Sequence, residues 1–157
     1  MNTSPSVHLP GVLRALARRE IRYRVVDSQS SAEKALIDWT EQSFPWGFSQ
    51  IDWTKATQRK CTEWTELDDL VLAFEKLVSG FDTTTPVVVM WANALCPSLA
   101  MLLGDVKRTA REIFEEHETS IDVLVFCQAE GWLIEMHHEG TLCLGRAEPN
   151  SDGTIIS

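Results

Sequence analysis

DVLVFCQAEGWLIEMHHEGTLCLG, residues 122–145, decides the fold. Its apolar runs, 122–127, 132–137 and 141–144, are separated by Gln128-Ala129-Glu130-Gly131 and by His138-Glu139-Gly140. Short β-branched and aromatic runs joined by brief Gly-containing turns read as antiparallel hairpins. The last third of the chain is therefore expected to be a β-meander.

Outward from there, VVVMW at 87–91 is continuous and rich in β-branched residues, which predicts a central strand buried on both faces. Residues 98–117 put Leu99, Leu102, Leu103, Val106, Ala110, Ile113, Phe114 and His117 on one side, which predicts a helix with Gly104 inside it. Strand 87–91, that helix and strand 122–127 predict a βαβ unit. Upstream, Leu67, Leu70, Val71, Phe74, Leu77 and Val78 keep helical spacing between Thr65-x-x-Asp68 and Gly80. Ser30-x-x-Glu33 is a capping box opening a helix over 31–43, and Phe44-Pro45 ends it. Residues 11–20 read as a short amphipathic helix, and 21–26, with Arg22 and Arg24 in alternation, as an edge strand. Residues 45–65 lack periodicity and read as a long irregular connection. The expected architecture is α+β over a single domain, 1–157, with loose tails at 1–9 and 147–157. Its sheet is mixed, mainly antiparallel, with four to five strands, and the helices pack on it.

A chain of 157 residues can bury enough surface to fold without disulfide or metal staples. No apolar run approaches the roughly 18 residues of a membrane span. The start, MNTSPSVHLPG, has neither a basic nor an apolar leader segment. These features point to the cytoplasm and away from a membrane. Cys61, Cys96, Cys127 and Cys143 form no C-x-x-C pair, so they are expected to be reduced, buried thiols. Cys127 and Cys143 fall in strands expected to be neighbours.

Net charge is −9 and unevenly placed. Residues 1–60 hold nine Lys/Arg and six Asp/Glu, whereas 61–157 hold five and seventeen. Such a surface repels nucleic acid and anionic membrane and attracts basic proteins. The basic residues Arg14, Arg18, Arg19, Arg22 and Arg24 form too small a footprint for an RNA site against that background.

Catalytic signatures are weak. On a regular strand Glu135 and His137 share one face and His138 the other, so the two histidines are expected to point apart and not to share a metal. Cys96 stands between a strand and an expected helix N-terminus, where a thiol pKa can fall, but no oxyanion-type turn accompanies it. Phosphate and dinucleotide motifs are missing. No cofactor is expected, and no enzymatic activity. An enzyme using Cys96 or the His137/His138 region, or a non-catalytic adaptor, is the alternative. The richest feature is aromatic and acidic: Trp39, Trp46, Trp53 and Trp64 fall within 39–64, among Asp52, Glu63 and Glu66. Tryptophan is enriched at binding hot spots. The expected partner surface is Trp46, Asp52, Trp53, Glu63, Trp64, Glu66, Asp68 and Asp69, with Glu130 and Glu139 as a second patch.

Two stretches taken together, VVVMWANALCPSL at 87–99 and the strand leading to GWLIEMHHEGTLCLG at 122–145, resemble small bacterial immunity proteins. Those belong to contact-dependent growth inhibition and related polymorphic toxin systems. The resemblance implies a non-enzymatic cytoplasmic inhibitor that occludes a toxin's active site or an exosite, with a nuclease domain as the expected cognate toxin. It carries over no catalytic residues and leaves the oligomeric state open.

Overall fold

The computed structural model describes residues 10–27, 30–47, 51–56, 58–92, 96–115 and 122–147. In chain order the elements are α1 (Pro10–Arg18), β1 (Arg24–Val26), α2 (Ser31–Ser43), β2 (Arg59–Glu63), α3 (Leu67–Leu77), β3 (Pro86–Trp91), β4 (Ser98–Leu102), α4 (Leu103–Arg108), α5 (Ala110–Glu115), β5 (Val123–Cys127), β6 (Trp132–His137) and β7 (Thr141–Arg146). The strands form one seven-stranded sheet in the order β1-β4-β3-β5-β6-β7-β2, and every neighbouring pair is antiparallel. The α+β expectation and the C-terminal meander hold. The strand count is larger than expected, and the sheet contains no parallel pair.

Two segments account for the difference. Residues 98–102 are a strand between β1 and β3, not the start of a helix. The run SLAML satisfies both periods: Leu99 and Met101 bury on one face while Leu102 stays exposed. Pairing with β1 over 98–100 and with β3 over 99–102 engages most of its backbone, and that tertiary gain decides the contest. The chain enters α4 directly, with Leu103 and Gly104 N–H donating to Thr85 and Thr83 carbonyls at 2.8 Å each. A Cβ on Gly104 would lie 3.0 Å from Thr83 Cβ, so glycine permits this close approach. Strands β3 and β5 are consequently antiparallel neighbours, and the expected βαβ unit does not form. The second segment is β2, which lies inside the expected irregular connection. All five of its residues are exposed, so no apolar alternation announces it.

Two apolar layers cover the sheet. On one face Val12, Leu16, Leu70, Phe74, Leu103, Ile113 and Phe114 of the helices pack on Val89, Trp91, Leu99, Val125, Trp132, Ile134 and Leu142. On the other, Trp39, Phe44 and Ile51, with Trp46 and Trp53, pack on Met90, Leu124, Phe126 and Leu133. Strand β3 contributes to both, as a central strand should. Helix α1 ends with Glu20 at φ 54°, where Ile21 N–H reaches Leu16 O and Glu20 N–H reaches Ala17 O. That is a Schellman closure built on a non-glycine residue.

Of the expected tails, 1–9 and 148–157 lie outside the described residues. Ala147 is buried, and its N–H donates to Gly131 O, so the ordered chain continues past β7.

Candidate functional site

The topology gathers charge at one end of the sheet. Strand β5 begins there after Asp122, β6 finishes there, and Gly140 at φ 104° closes the turn into β7. Antiparallel pairing of β2 with β7 sets Glu63 opposite Thr141. Trp64 N–H then donates to Gly140 O at 2.9 Å, and its indole Nε1–H to Thr141 O at 3.2 Å. A Cβ at Gly140 would come within 3.0 Å of Trp64 O. Helix α3 starts three residues on, with Glu66 as N-cap and Asp68 and Asp69 in its first turn, where the helix dipole favours negative charge. Glu63, Glu66, Asp68, Asp69 and Glu139, spread over nearly eighty positions of sequence, are thus exposed around one junction.

Two of these carboxylates have local partners. Asp68 pairs with Arg111 of α5. Asp69 accepts from the Thr65 hydroxyl at 2.6 Å, and this bond holds its pKa below the usual carboxylate value.

None of the tryptophans among the described residues is fully exposed. Trp39, Trp91 and Trp132 are buried, and Trp46, Trp53 and Trp64 are half-buried with their indole N–H groups engaged. Trp46 donates to Thr40 O at 3.0 Å. Trp53 donates to Glu135 Oε1 at 2.8 Å while its ring lies over Gly145 of β7, where a Cβ would approach to 2.5 Å. Trp53 and Trp64 thus tie their segments to the sheet, and Trp46 ties its own to α2. Asp52 caps the 3₁₀ turn Trp53–Lys55 by accepting from Thr54, which lowers its own pKa. The expected second patch also separates. Glu130 lies in the β5–β6 turn and accepts from Trp132 Nε1, whereas Glu139 lies at the other end of β6.

At the acidic end, Asp122, His137 and His138 converge. The two imidazoles stack with centroids 4.5 Å apart, contrary to the expectation that they diverge. His138 follows the last strand residue, so the turn breaks the alternation and swings its ring back. Asp122 Oδ1 accepts from the His138 backbone N–H at 2.9 Å and lies 2.8 Å from His138 Nδ1. That hydrogen bond raises the His138 pKa. His137 Nε2 stands 3.9 Å from Asp122 Oδ2.

The three side chains offer ligand atoms within 4.8 Å of one another, a grouping that by distance suits a metal. The hydrogen bonding argues otherwise. His137 Nδ1 accepts from Glu139 N–H at 3.2 Å, which leaves the neutral ring's proton on Nε2, facing Asp122. Metal-bound histidines ordinarily donate through their second nitrogen. A hydrogen-bonded Asp–His cluster fits these bonds better than a metal centre.

Glu135, on the same face two residues earlier, is buried, and desolvation raises its pKa. Trp53 opposes that shift, Asp122 adds to it, and His137 opposes it. Cys96 is buried and precedes a strand, so the helix N-terminus expected to activate it is missing. Cys61 and Cys143, expected as free thiols, are opposite one another in the β2–β7 ladder and form a disulfide. Cys127 is buried and free, and β6 separates its strand from β7. No helix among the described residues is long and apolar enough to cross a membrane. No protein-family model matches the chain, and no curated protein matches it either.

Proposed function

We propose that the chain is a non-catalytic inhibitor of a basic protein, in the manner of the immunity proteins its strand motifs resemble. Its cognate partner is a bacterial toxin domain, most readily a nuclease, whose cationic substrate face or exosite it covers. The supporting observation is the convergence of Glu63, Glu66, Asp69 and Glu139 from three separate elements onto one exposed end of the sheet. Clustered carboxylates at a rim steer a cationic partner and raise its association rate at low salt. The half-buried indoles contribute by holding the backbone that carries those carboxylates. Asp68 contributes less, because Arg111 neutralises it. The inhibitor acts in the cytoplasm, where thiols are mostly reduced; strand β2 must then stay on β7 through its ladder and the Trp64 bonds.

The test is co-expression with the candidate toxin domain encoded next to it, followed by stopped-flow association of the purified pair. Wild-type protein should restore growth and bind one to one with salt-sensitive kinetics. Glu66→Lys with Glu139→Lys should slow association about tenfold or more at low salt. An unchanged on-rate removes this surface, and failure of every neighbouring gene product to bind removes the inhibitor reading.

A further inference from the structure

The two ends of the sheet are unequal. Strand β1 offers three residues and β2 offers five, exposed on both faces. In the β2–β7 ladder, Arg146 N–H donates to Gln58 O and Trp64 N–H to Gly140 O. The hydrogen-bonded pairs therefore fall on even positions of β2, so Lys60 and Thr62 direct their backbone groups to β7. Arg59, Cys61 and Glu63 direct theirs outward, to an edge that no strand among the described residues covers. Cys61 and Cys143 occupy a non-hydrogen-bonded pair, consistent with their Cα separation of 4.1 Å.

The sequence of this edge, Arg59-Lys60-Cys61-Thr62-Glu63, is complementary to itself when reversed. Centred on Cys61, antiparallel self-pairing sets Arg59 opposite Glu63 of the other copy, twice, and Lys60 opposite Thr62. The same register pairs outward backbone groups only with outward backbone groups, because all three facing positions are odd. Shifting the centre to Lys60 keeps that parity but brings two lysines together, which is unfavourable. Beside the edge, a groove of about 380 Å³ runs between β2 and α3, lined by Lys60, Thr62, Leu72 and Ala73. Leu72 is 57% exposed there, the most exposed large apolar side chain among the described residues. A two-fold axis through β2 places the two grooves on the same face of the joined sheet, one on either side of the axis.

We propose that β2 is a self-association edge: a second copy of the chain pairs antiparallel with it about a two-fold axis at Cys61, fusing two seven-stranded sheets into one. The interface is isologous and closes on itself, so it stops at a dimer. A five-residue edge is small, and association is correspondingly weak and concentration-dependent.

Sedimentation of the oxidised protein across a wide concentration series should move from the 17.7 kDa monomer toward twice that mass. Arg59→Glu should raise the dissociation constant about tenfold or more, since it turns two attractive cross-strand pairs repulsive. The swap Arg59→Glu with Glu63→Arg should restore it. Arg59 also donates to Ala56 O at 2.9 Å, and Arg59→Glu loses that bond, so hydrogen exchange on the wild type supplies a reading free of mutation. The amides of Arg59, Cys61 and Glu63 should gain protection as concentration rises, while those of Lys60 and Thr62 are protected throughout. A monomer at every concentration overturns the proposal. So does a dimer indifferent to the charge swap, or protection of the odd amides only when a foreign protein is added, which would mean strand donation by that protein.

Discussion

Removing the Cys61–Cys143 disulfide should cost a large share of the stability. The two residues are 82 positions apart, and in the chain-entropy account closing a loop of that size removes about 15 cal/mol/K from the unfolded state. At room temperature that is about 4.5 kcal/mol, against total stabilities of roughly 5–15 kcal/mol for ordinary domains. Little offsets it in the native state. Cys61 is exposed, so its truncation forfeits almost no burial; Cys143 is buried, so its truncation adds a small packing loss, and the ladder to β7 remains. The comparison is urea unfolding of the oxidised protein, the same protein under a phosphine reductant, and Cys61→Ala with Cys143→Ala. Reduced and doubly substituted proteins should both show lower midpoints and a steeper dependence on urea, because the uncrosslinked chain exposes more surface, with the double variant lower by no more than about 1 kcal/mol for the buried Cys143 sulfur. The melting temperature should fall by roughly 9–18 °C. A loss below about 1 kcal/mol would refute the loop-entropy reasoning.

Gly145→Ala should cost about 1–3 kcal/mol by forcing Trp53 off the sheet, and tryptophan fluorescence should report the displaced ring. Because burial raises the Glu135 pKa, the folded state holds that proton more tightly than the unfolded chain; stability is lost as pH rises from the ordinary glutamate range through the native value. Glu135→Gln should flatten that slope in urea midpoints taken from acid to neutral pH, and an unchanged slope would exclude Glu135 as its source. His138 also titrates above its usual value, so its stabilisation is complete below the unfolded histidine pKa and lost as pH rises through the native one. In NMR titrations Asp122→Asn should return the His138 pKa toward about 6.5, and no movement would show that Asp122 is not the cause. Glu20→Gly should stabilise by about 0.5–1 kcal/mol, because only glycine adopts positive φ without steric cost; a lower thermal midpoint would contradict the Schellman assignment.

How legible each part was follows from where its signal lay. The meander was readable because β5, β6 and β7 are buried apolar runs joined by turns with Gly131 and Gly140 at positive φ. The helix over 31–43 was readable from its cap, and Ser30 Oγ does accept from Glu33 N–H. Strand β4 was not, because SLAML followed by Leu103 and Val106 fits a helical stripe equally well. Strand β2 was invisible because neither face is buried, so no alternation was selected. The acidic residues of the site were picked out by composition, but which of them meet depends on the β2–β7 register, a pairing between positions about eighty residues apart. That register also brings Cys61 to Cys143. The His137–His138 contact leaves no trace in the sequence, because strand alternation ends at His137 and the turn then carries the His138 ring back.

The placement of β2 has a consequence for synthesis on the ribosome. Its five residues emerge early, yet their only partner strand, β7, is the last of the sheet to be made. At about 5–20 residues per second the nascent segment waits roughly 4–16 s for that partner. Throughout the interval Cys61 is an unpaired thiol on an unfolded stretch, while Cys96 and Cys127 appear before Cys143 does. In cell-free synthesis without reductant, correct pairing therefore depends on translation outrunning oxidation, and slowing the ribosome between codons 63 and 143 should increase the yield of wrongly linked chains; in a reducing cytoplasm the three early thiols stay unlinked.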